Sequence, residues 1–201
     1  MMKLGVIAIA RIGICSTFVI PCRRISFKTA CRSTASTPNI ALSPPSVVIE
    51  RVFEIDERPI ILFDGVCNMC NNAVNLALDW DPRGKLRFAA LQSNVGKALL
   101  LHHGRKADDI SSIVLVTRKG AYLKSDAVLG IAESLNPLPM LPLKPFATLA
   151  TAMVPQILRD LIYDQVADNR YSIMGKRDEC RFDADGEFTD RFVDDSLANS
   201  P

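Results

Sequence analysis

The chain has 201 residues, of which 48% are hydrophobic and 23% charged, with a formal net charge of +2; that is enough apolar sequence for a packed core and excludes a largely disordered polymer. The charge is unevenly spread. Residues 1–49 hold Lys3, Arg11, Arg23, Arg24, Lys28 and Arg32 and no Asp or Glu, which leaves 18 Lys and Arg against 22 Asp and Glu, a net −4, from residue 50 onward. A mildly acidic body without a basic stripe argues against a nucleic-acid partner.

Residues 1–46, basic, acid-free and rich in Ser and Thr, have the composition of an organelle transit peptide followed by a linker. A secretory signal is the rival reading, but Arg11 interrupts its apolar stretch, and the uncharged run Ile12 to Cys22 is too short to span a bilayer. Arginines among apolar residues point first to the mitochondrion; the cluster Ser33 to Pro38 makes the chloroplast the alternative. Asn39 to Glu50, with Pro44, Pro45 and the two serines Ser43 and Ser46, reads as linker, and the fold is expected to begin near Val52.

Ile60 to Phe63 is a short buried strand, closed by Asp64-Gly65. Past Cys67 the period changes. Ala73, Leu76, Ala77 and Trp80 share a helical face that Pro82 and Gly84 end. Leu86 to Leu91 reads as a second strand and Gln92 to Leu101 as a helix. Two strands then flank Thr117 to Gly120 as a hairpin. Ser125 is a candidate cap for a helix from Asp126 to Leu135. Strand–helix–strand requires a right-handed crossover between parallel neighbours, and the hairpin adds antiparallel strands. The expected class is α/β, a small mixed sheet of about four strands with helices packed on it.

Asn136 to Pro145 is proline-punctuated loop. Phe146 to Ala167 reads as a C-terminal helical extension, amphipathic and packed on the sheet through Leu149, Met153, Ile157, Leu161 and Ile162, with a kink at Pro155. Only 14 uncharged residues separate Lys144 from Arg159, against the roughly 20 of a membrane span. No transmembrane segment is expected. Residues 181–201 are polar and acidic and read as a fraying tail.

The chemistry concentrates in Ile61 to Asn72, ILFDGVCNMCNN. Cys15, Cys22 and Cys31 fall in the basic leader; Cys67, Cys70 and Cys180 remain. Cysteines two residues apart at the start of a helix lie close enough to bond. A thiolate on the first faces unpaired backbone N–H groups and the positive end of the helix dipole, which favour the anion. Cys67 is thus expected to be the attacking nucleophile and Cys70 the resolving thiol. Asp64 can serve as proton relay for Cys70, as turn residue, or both. Zinc is the rival use of the pair, but a closed site usually has four ligands, and only Cys180, His102 and His103 could complete it. No metal and no bound cofactor is expected. Cys180, beside Lys176 and Arg177, reads as a structural cysteine, with a third redox thiol as alternative. His102 and His103 read as exposed residues at a helix C-terminus, complementing its dipole. Trp80 reads as core.

Phe63 to Cys70, FDGVCNMC, resembles the signature of the DCC family of thiol-disulfide oxidoreductases, whose Asp-Cys-Cys pattern Asp64, Cys67 and Cys70 match. The likeness runs from Pro59 to Cys180 through RFAALQS, DDISSIVLV, SDAVL and DNRYSIMGKRDEC. It implies a thioredoxin-like domain, expected over residues 52–180, and a redox role. Arg170 and Tyr171 in NRY match the family's C-terminal motif and either pack against the sheet, the favoured reading, or line the site. The sequence departs from ordinary thioredoxins: Val66 precedes Cys67, Asn68-Met69 lies between the thiols, and ISSI stands where thioredoxins place a proline that helps bind extended substrate backbone. Plant members with transit peptides agree with the leader.

The expectation is therefore an organelle-targeted oxidoreductase that cycles a Cys67–Cys70 disulfide and dithiol. Its partners would be protein or small-molecule thiols and disulfides and an electron-donating redox protein or thiol. The competing class is a thioredoxin-like binding module that docks a partner protein and uses the cysteines as a sensor or not at all.

Overall fold

The computed structural model describes residues 43–135, 143–176 and 188–199. The leader before Ser43, residues 136–142 and Cys180 lie outside the described residues, and with them the transit-peptide reading, most of the proline loop and the roles of Cys180.

The first element among the described residues is a helix, α1 (Pro45–Ile55), where linker was expected. Pro45 occupies the first helical position, where a fixed φ and a missing N–H favour initiation. Val48, Val52 and Phe53 recur at helical spacing and are buried. Prolines thus start this helix rather than mark a tether.

Strands β1 (Ile60–Phe63), β2 (Arg87–Ala90), β3 (Val114–Thr117) and β4 (Gly120–Leu123) form one mixed sheet in the order β2-β1-β3-β4. β1 pairs with β2 in parallel and with β3 antiparallel, and β3–β4 is the expected hairpin. β1 is central and buried on both faces, as its unbroken apolar run requires. Ile60 and Leu62 face a core with α1 and α3 (Asn94–His102). Ile61 and Phe63 face a second core with α2 (Asn68–Asp79) and α4 (Lys124–Ser134). Two helical layers around this sheet, in this strand order, are the thioredoxin-like fold.

Local chemistry places α3 and α4. Ser93 Oγ caps α3 by accepting from Gly96 N at 2.9 Å. Gly96 lies so close to the end of β2 that a Cβ there would stand 2.1 Å from the Ala90 carbonyl oxygen. Ser125 does not cap α4. It lies inside the helix, and its hydroxyl donates to Asp160. Lys124, at φ +47°, makes the abrupt turn from β4 into α4 instead.

The C-terminal helical segment is two helices. α5 (Leu143–Met153) and α6 (Gln156–Met174) are separated at Val154-Pro155, where Pro155 takes an extended ψ of 141°. They do not pack their apolar residues on the sheet as expected. α5 lies on α4, and α6 on α4 and α2. Leu149, Met153, Ile157, Leu161 and Ile162 are exposed, while Ala147 and Ala167 are buried. Close helix approach selects the small residues. No helix among the described residues is long and apolar enough to cross a membrane.

The C-terminal residues 188–199 do not fray. Arg191 is buried and bonds Asp81 and the Leu86 carbonyl, at 2.5 and 2.7 Å. Ala198 enters the α1/α3 core, and its carbonyl accepts from Ser43 N. A polar sequence docks here because its few anchoring side chains meet buried partners, which no periodicity announces.

Candidate active site

β1 ends in Asp64, and the chain turns at Gly65 into α2, with Cys67 as the residue before its first turn. Asp64 Oδ1 accepts from Val66 N at 3.2 Å, an Asx turn. Asn71 Nδ2 ties the Gly65 carbonyl to the helix at 2.9 Å.

Asp64 does more than turn the chain. It is 2% exposed, and side chains from two other elements converge on it. Gln92 Nε2 donates to Oδ1 at 2.7 Å, while Gln92 Oε1 accepts from Gly65 N at 3.1 Å. From α6, Tyr171 donates its hydroxyl to Oδ2, and Arg170 Nη2 reaches the same oxygen at 3.4 Å. Arg170 also donates to the Tyr171 oxygen, at 3.2 Å. Arg170 and Tyr171 therefore bond Asp64 directly and do more than pack against the sheet. Gln92 was missed from sequence; a lone amide between a strand and a helix reads as ordinary surface.

Both cysteines are free thiols. Their exposures are the reverse of what an attacking Cys67 requires. Cys67 is 0% exposed. Residues Met174 to Lys176 cover it: Cys67 pairs with Lys176 as an isolated antiparallel bridge, Asn68 N donates to the Gly175 carbonyl at 3.4 Å, and Asn68 Nδ2 donates to the Met174 carbonyl at 2.8 Å. One of the helix N–H groups expected to face a thiolate is thus engaged. Cys70, one turn on, is partly exposed and lines a cavity. Burial, a hydrogen bond to Cys67 and the nearby charges of Cys67 and Asp64 push its thiol up to about 12. Cys70 therefore keeps its proton at neutral pH.

The cavity, about 380 Å³, lies between the sheet, α2, α4 and α6. Phe63, Val74, Trp80, Phe88 and Ile131 give it apolar walls, with Asp64, Cys70, Ser112, Tyr163 and Arg170 as polar groups in the lining. Trp80 is half-buried and borders this space rather than filling the core.

Ile110 to Ile113 is the segment where the family resemblance set ISSI against the thioredoxin proline. Its backbone is occupied. Arg170 donates to the carbonyls of Ile110 and Ser111, at 2.9 and 3.3 Å, and the Tyr163 hydroxyl accepts from Ile113 N at 2.8 Å. Burial raises the Tyr163 hydroxyl, and burial followed by its bond to Asp64 raises that of Tyr171, so both remain protonated donors at neutral pH.

His102 and His103 end α3, ring against ring at 5.0 Å. His102 is exposed as expected. His103 is half-buried, and burial, aided by His102, lowers it below the usual histidine value, so it does not add charge to the helix end at neutral pH. Among the described residues, no three His, Cys, Asp or Glu side chains are gathered as metal ligands.

The sequence model of the family described as DCC1-like thiol-disulfide oxidoreductase matches residues 61–176, from β1 through the Lys176 bridge. A chloroplastic DCC family protein of Arabidopsis thaliana is 49% identical over 130 residues, 64% of this chain and 72% of that protein. The uncharacterized protein YuxK of Bacillus subtilis (strain 168) is 38% identical over 121 residues, 60% of this chain and 84% of that one. No solved structure matches. With Asp64, Cys67 and Cys70 at one strand end and the match spanning every element that surrounds them, the chain belongs to the DCC1-like thiol-disulfide oxidoreductase family.

Proposed function

We propose that this protein is a thiol-disulfide oxidoreductase that cycles Cys67 and Cys70 between dithiol and disulfide. The observation that carries this reading is the thiol pair itself: two free cysteines one helical turn apart, hydrogen-bonded to each other, at the mouth of an apolar cavity. A structural pair would gain nothing from holding its proton against its neighbour. The binding-module alternative leaves that arrangement without a use.

In the conformation described, the sulfur that an incoming disulfide meets is Cys70. As Cys70 attacks, its proton passes by way of the Asp64 carboxylate to the leaving thiolate. Cys67 then resolves the mixed disulfide by attacking Cys70. This is the reverse of the order expected from sequence, and burial of Cys67 is the reason. The expected order remains as a second reading, favoured by the position of Cys67 ahead of α2: once Met174 to Lys176 lift, Cys67 becomes the nucleophile and Cys70 resolves.

Trapping separates the two. A Cys67→Ser variant should retain a mixed disulfide on Cys70, and Cys70→Ser should retain none. Stable adducts on Cys67 in Cys70→Ser, with none in Cys67→Ser, would establish the second order. Failure of both variants to form adducts, with a wild type that does not exchange, would leave the binding module.

The leader, by composition, directs the protein to an organelle. The chloroplastic relative favours the plastid, while the arginine pattern favours the mitochondrion. The relative supports the plastid, and that is the reading adopted. The electron donor is a second dithiol or a small thiol.

A further inference from the structure

The cavity beside Cys70 contains two polar groups that the protein itself leaves unsatisfied. Ser112 is 4% exposed, and its Oγ has no hydrogen-bond partner. Arg170 spends its Nη atoms on Asp64, Tyr171 and three carbonyls, but its buried Nε has none. Both residues line the cavity together with Cys70. A buried donor without a partner forfeits its hydration for nothing in return, so two in one apolar pocket indicate a group that arrives from outside. Exposed Leu76, Val128 and Val166 are also in its lining, so the pocket opens to the surface between α2, α4 and α6.

We infer that this cavity is the substrate site of the redox pair and takes a low-molecular-weight, uncharged disulfide with an apolar body and a hydrogen-bond acceptor, its sulfurs against Cys70 and its acceptor on Ser112 Oγ and Arg170 Nε. The inference rests on the redox reading and names its substrate class. Size agrees, since ligand cavities run from about 300 Å³ upward. Absence of charge follows from Asp64, which already balances Arg170; a carboxylate would add an uncompensated negative charge to a buried site. An extended peptide is disfavoured because the backbone it would pair with, Ile110 to Ile113, is already bonded by Arg170 and Tyr163.

The reaction balances without another reagent in this half-cycle. Cys70 Sγ attacks one sulfur of R–S–S–R, that bond breaks, and R–S⁻ leaves and takes up the proton that Cys70 surrendered. Cys67 Sγ attacks Cys70 Sγ, the mixed disulfide breaks, and a second R–SH leaves with the proton of Cys67. The pair is oxidised by two electrons to its disulfide, and the ligand is reduced to two thiols.

The test uses pre-reduced full-length protein and three probes: 4,4′-dithiobisbenzamide, its dicarboxylate counterpart 4,4′-dithiobisbenzoic acid, and bis(2-hydroxyethyl) disulfide. The benzamide should react at least tenfold faster per concentration than either of the others, after each is corrected for its rate with free glutathione, and should release two thiols per chain. Ser112→Ala removes a hydroxyl that has no partner, so its thermal midpoint should not fall, yet the benzamide preference should drop about fivefold, the worth of one hydrogen bond. Ala132→Phe, which puts a ring into the cavity, should abolish the preference, the corrected benzamide rate falling to that of the hydroxyethyl probe on the same variant. As a readout free of thiol chemistry, 4-(methylthio)benzamide should bind Cys70→Ser by calorimetry and not bind Ala132→Phe. Equal corrected rates for the three probes in wild type and Ser112→Ala would overturn the cavity assignment while the redox function stands. No exchange with any probe, together with no adduct in the trapping experiment, would overturn the redox reading instead.

Discussion

Replacing Asp64 by Asn tests whether the carboxylate is an anchor for α6 as well as a turn residue. Asn keeps the size and, through its one oxygen, the Asx-turn acceptor at Val66, but it sets an NH2 donor where Oδ2 accepts from Tyr171 and Arg170 and removes the charge that faces Arg170. Side-chain exposures of 2% for Asp64 and 11% for Arg170 place this ion pair out of water, and breaking a buried pair on one side costs about 3–5 kcal/mol. Arg170 keeps its carbonyl partners at Ile110 and Ala167, so the lower figure applies. About 3 kcal/mol corresponds to a fall of roughly 6–12 °C in Tm for a chain of this size. Denaturant melts of Asp64→Asn, Arg170→Gln and the double variant measure the coupling directly. The double variant should lose little more than either single one, a coupling of about 2 kcal/mol. The same substitution removes one of the charges that hold the proton on Cys70, so alkylation of Cys70 should move to lower pH. Additive losses within about 0.5 kcal/mol, with an unmoved alkylation profile, would refute the anchor and leave Asp64 as a turn residue.

Other expectations follow from the same geometry. Because the Cys70 thiol is raised from 9.0 to about 12 in the folded protein, folding binds its proton more tightly; the resulting stability is complete below pH 9 and is lost as pH rises towards 12. Reduced wild type should therefore lose stability over that window in urea titrations more steeply than Cys70→Ser, and parallel curves would contradict the assignment. Arg191→Ala leaves Asp81 buried without its cation and should cost about 3–5 kcal/mol; a loss below about 1 kcal/mol would mean that residues 188–199 do not hold the fold. Gly96→Ala drives a methyl into the Ala90 carbonyl and should cost about 2 kcal/mol or more by melting, as overpacking does; a neutral result would mean that α3 can withdraw from β2. A fluorescent protein fused behind residues 1–50 should enter plastids, with mitochondria as the competing outcome, and a cytosolic or secreted signal would remove the targeting reading.

Sequence alone was sufficient for the strands, the parallel crossover, the hairpin and the joining of Asp64, Cys67 and Cys70 at one strand end. These features are local: an unbroken β-branched run, a period change at a turn and a two-residue spacing act over a few positions, and neighbouring residues report them. Prolines misled at the N-terminal end of the domain, because the same residue that breaks a helix interior starts one at Pro45. The surroundings of the site came only from tertiary structure. Gln92, Ser112, Tyr163, Arg170 and Tyr171 reach Asp64 or the cavity across separations of 28 to 107 residues where bonds to Asp64 are drawn, and no period links such positions. Exposure of the cysteines was likewise invisible, since it depends on where residues 174–176 lie over α2. The apolar residues of α5 and α6 carry the same lesson: a hydrophobic stripe in the chain states which face avoids water, but the layer already filled by α4 decided that Ala147 and Ala167 would be buried while Leu149, Ile157 and Ile162 stayed outside.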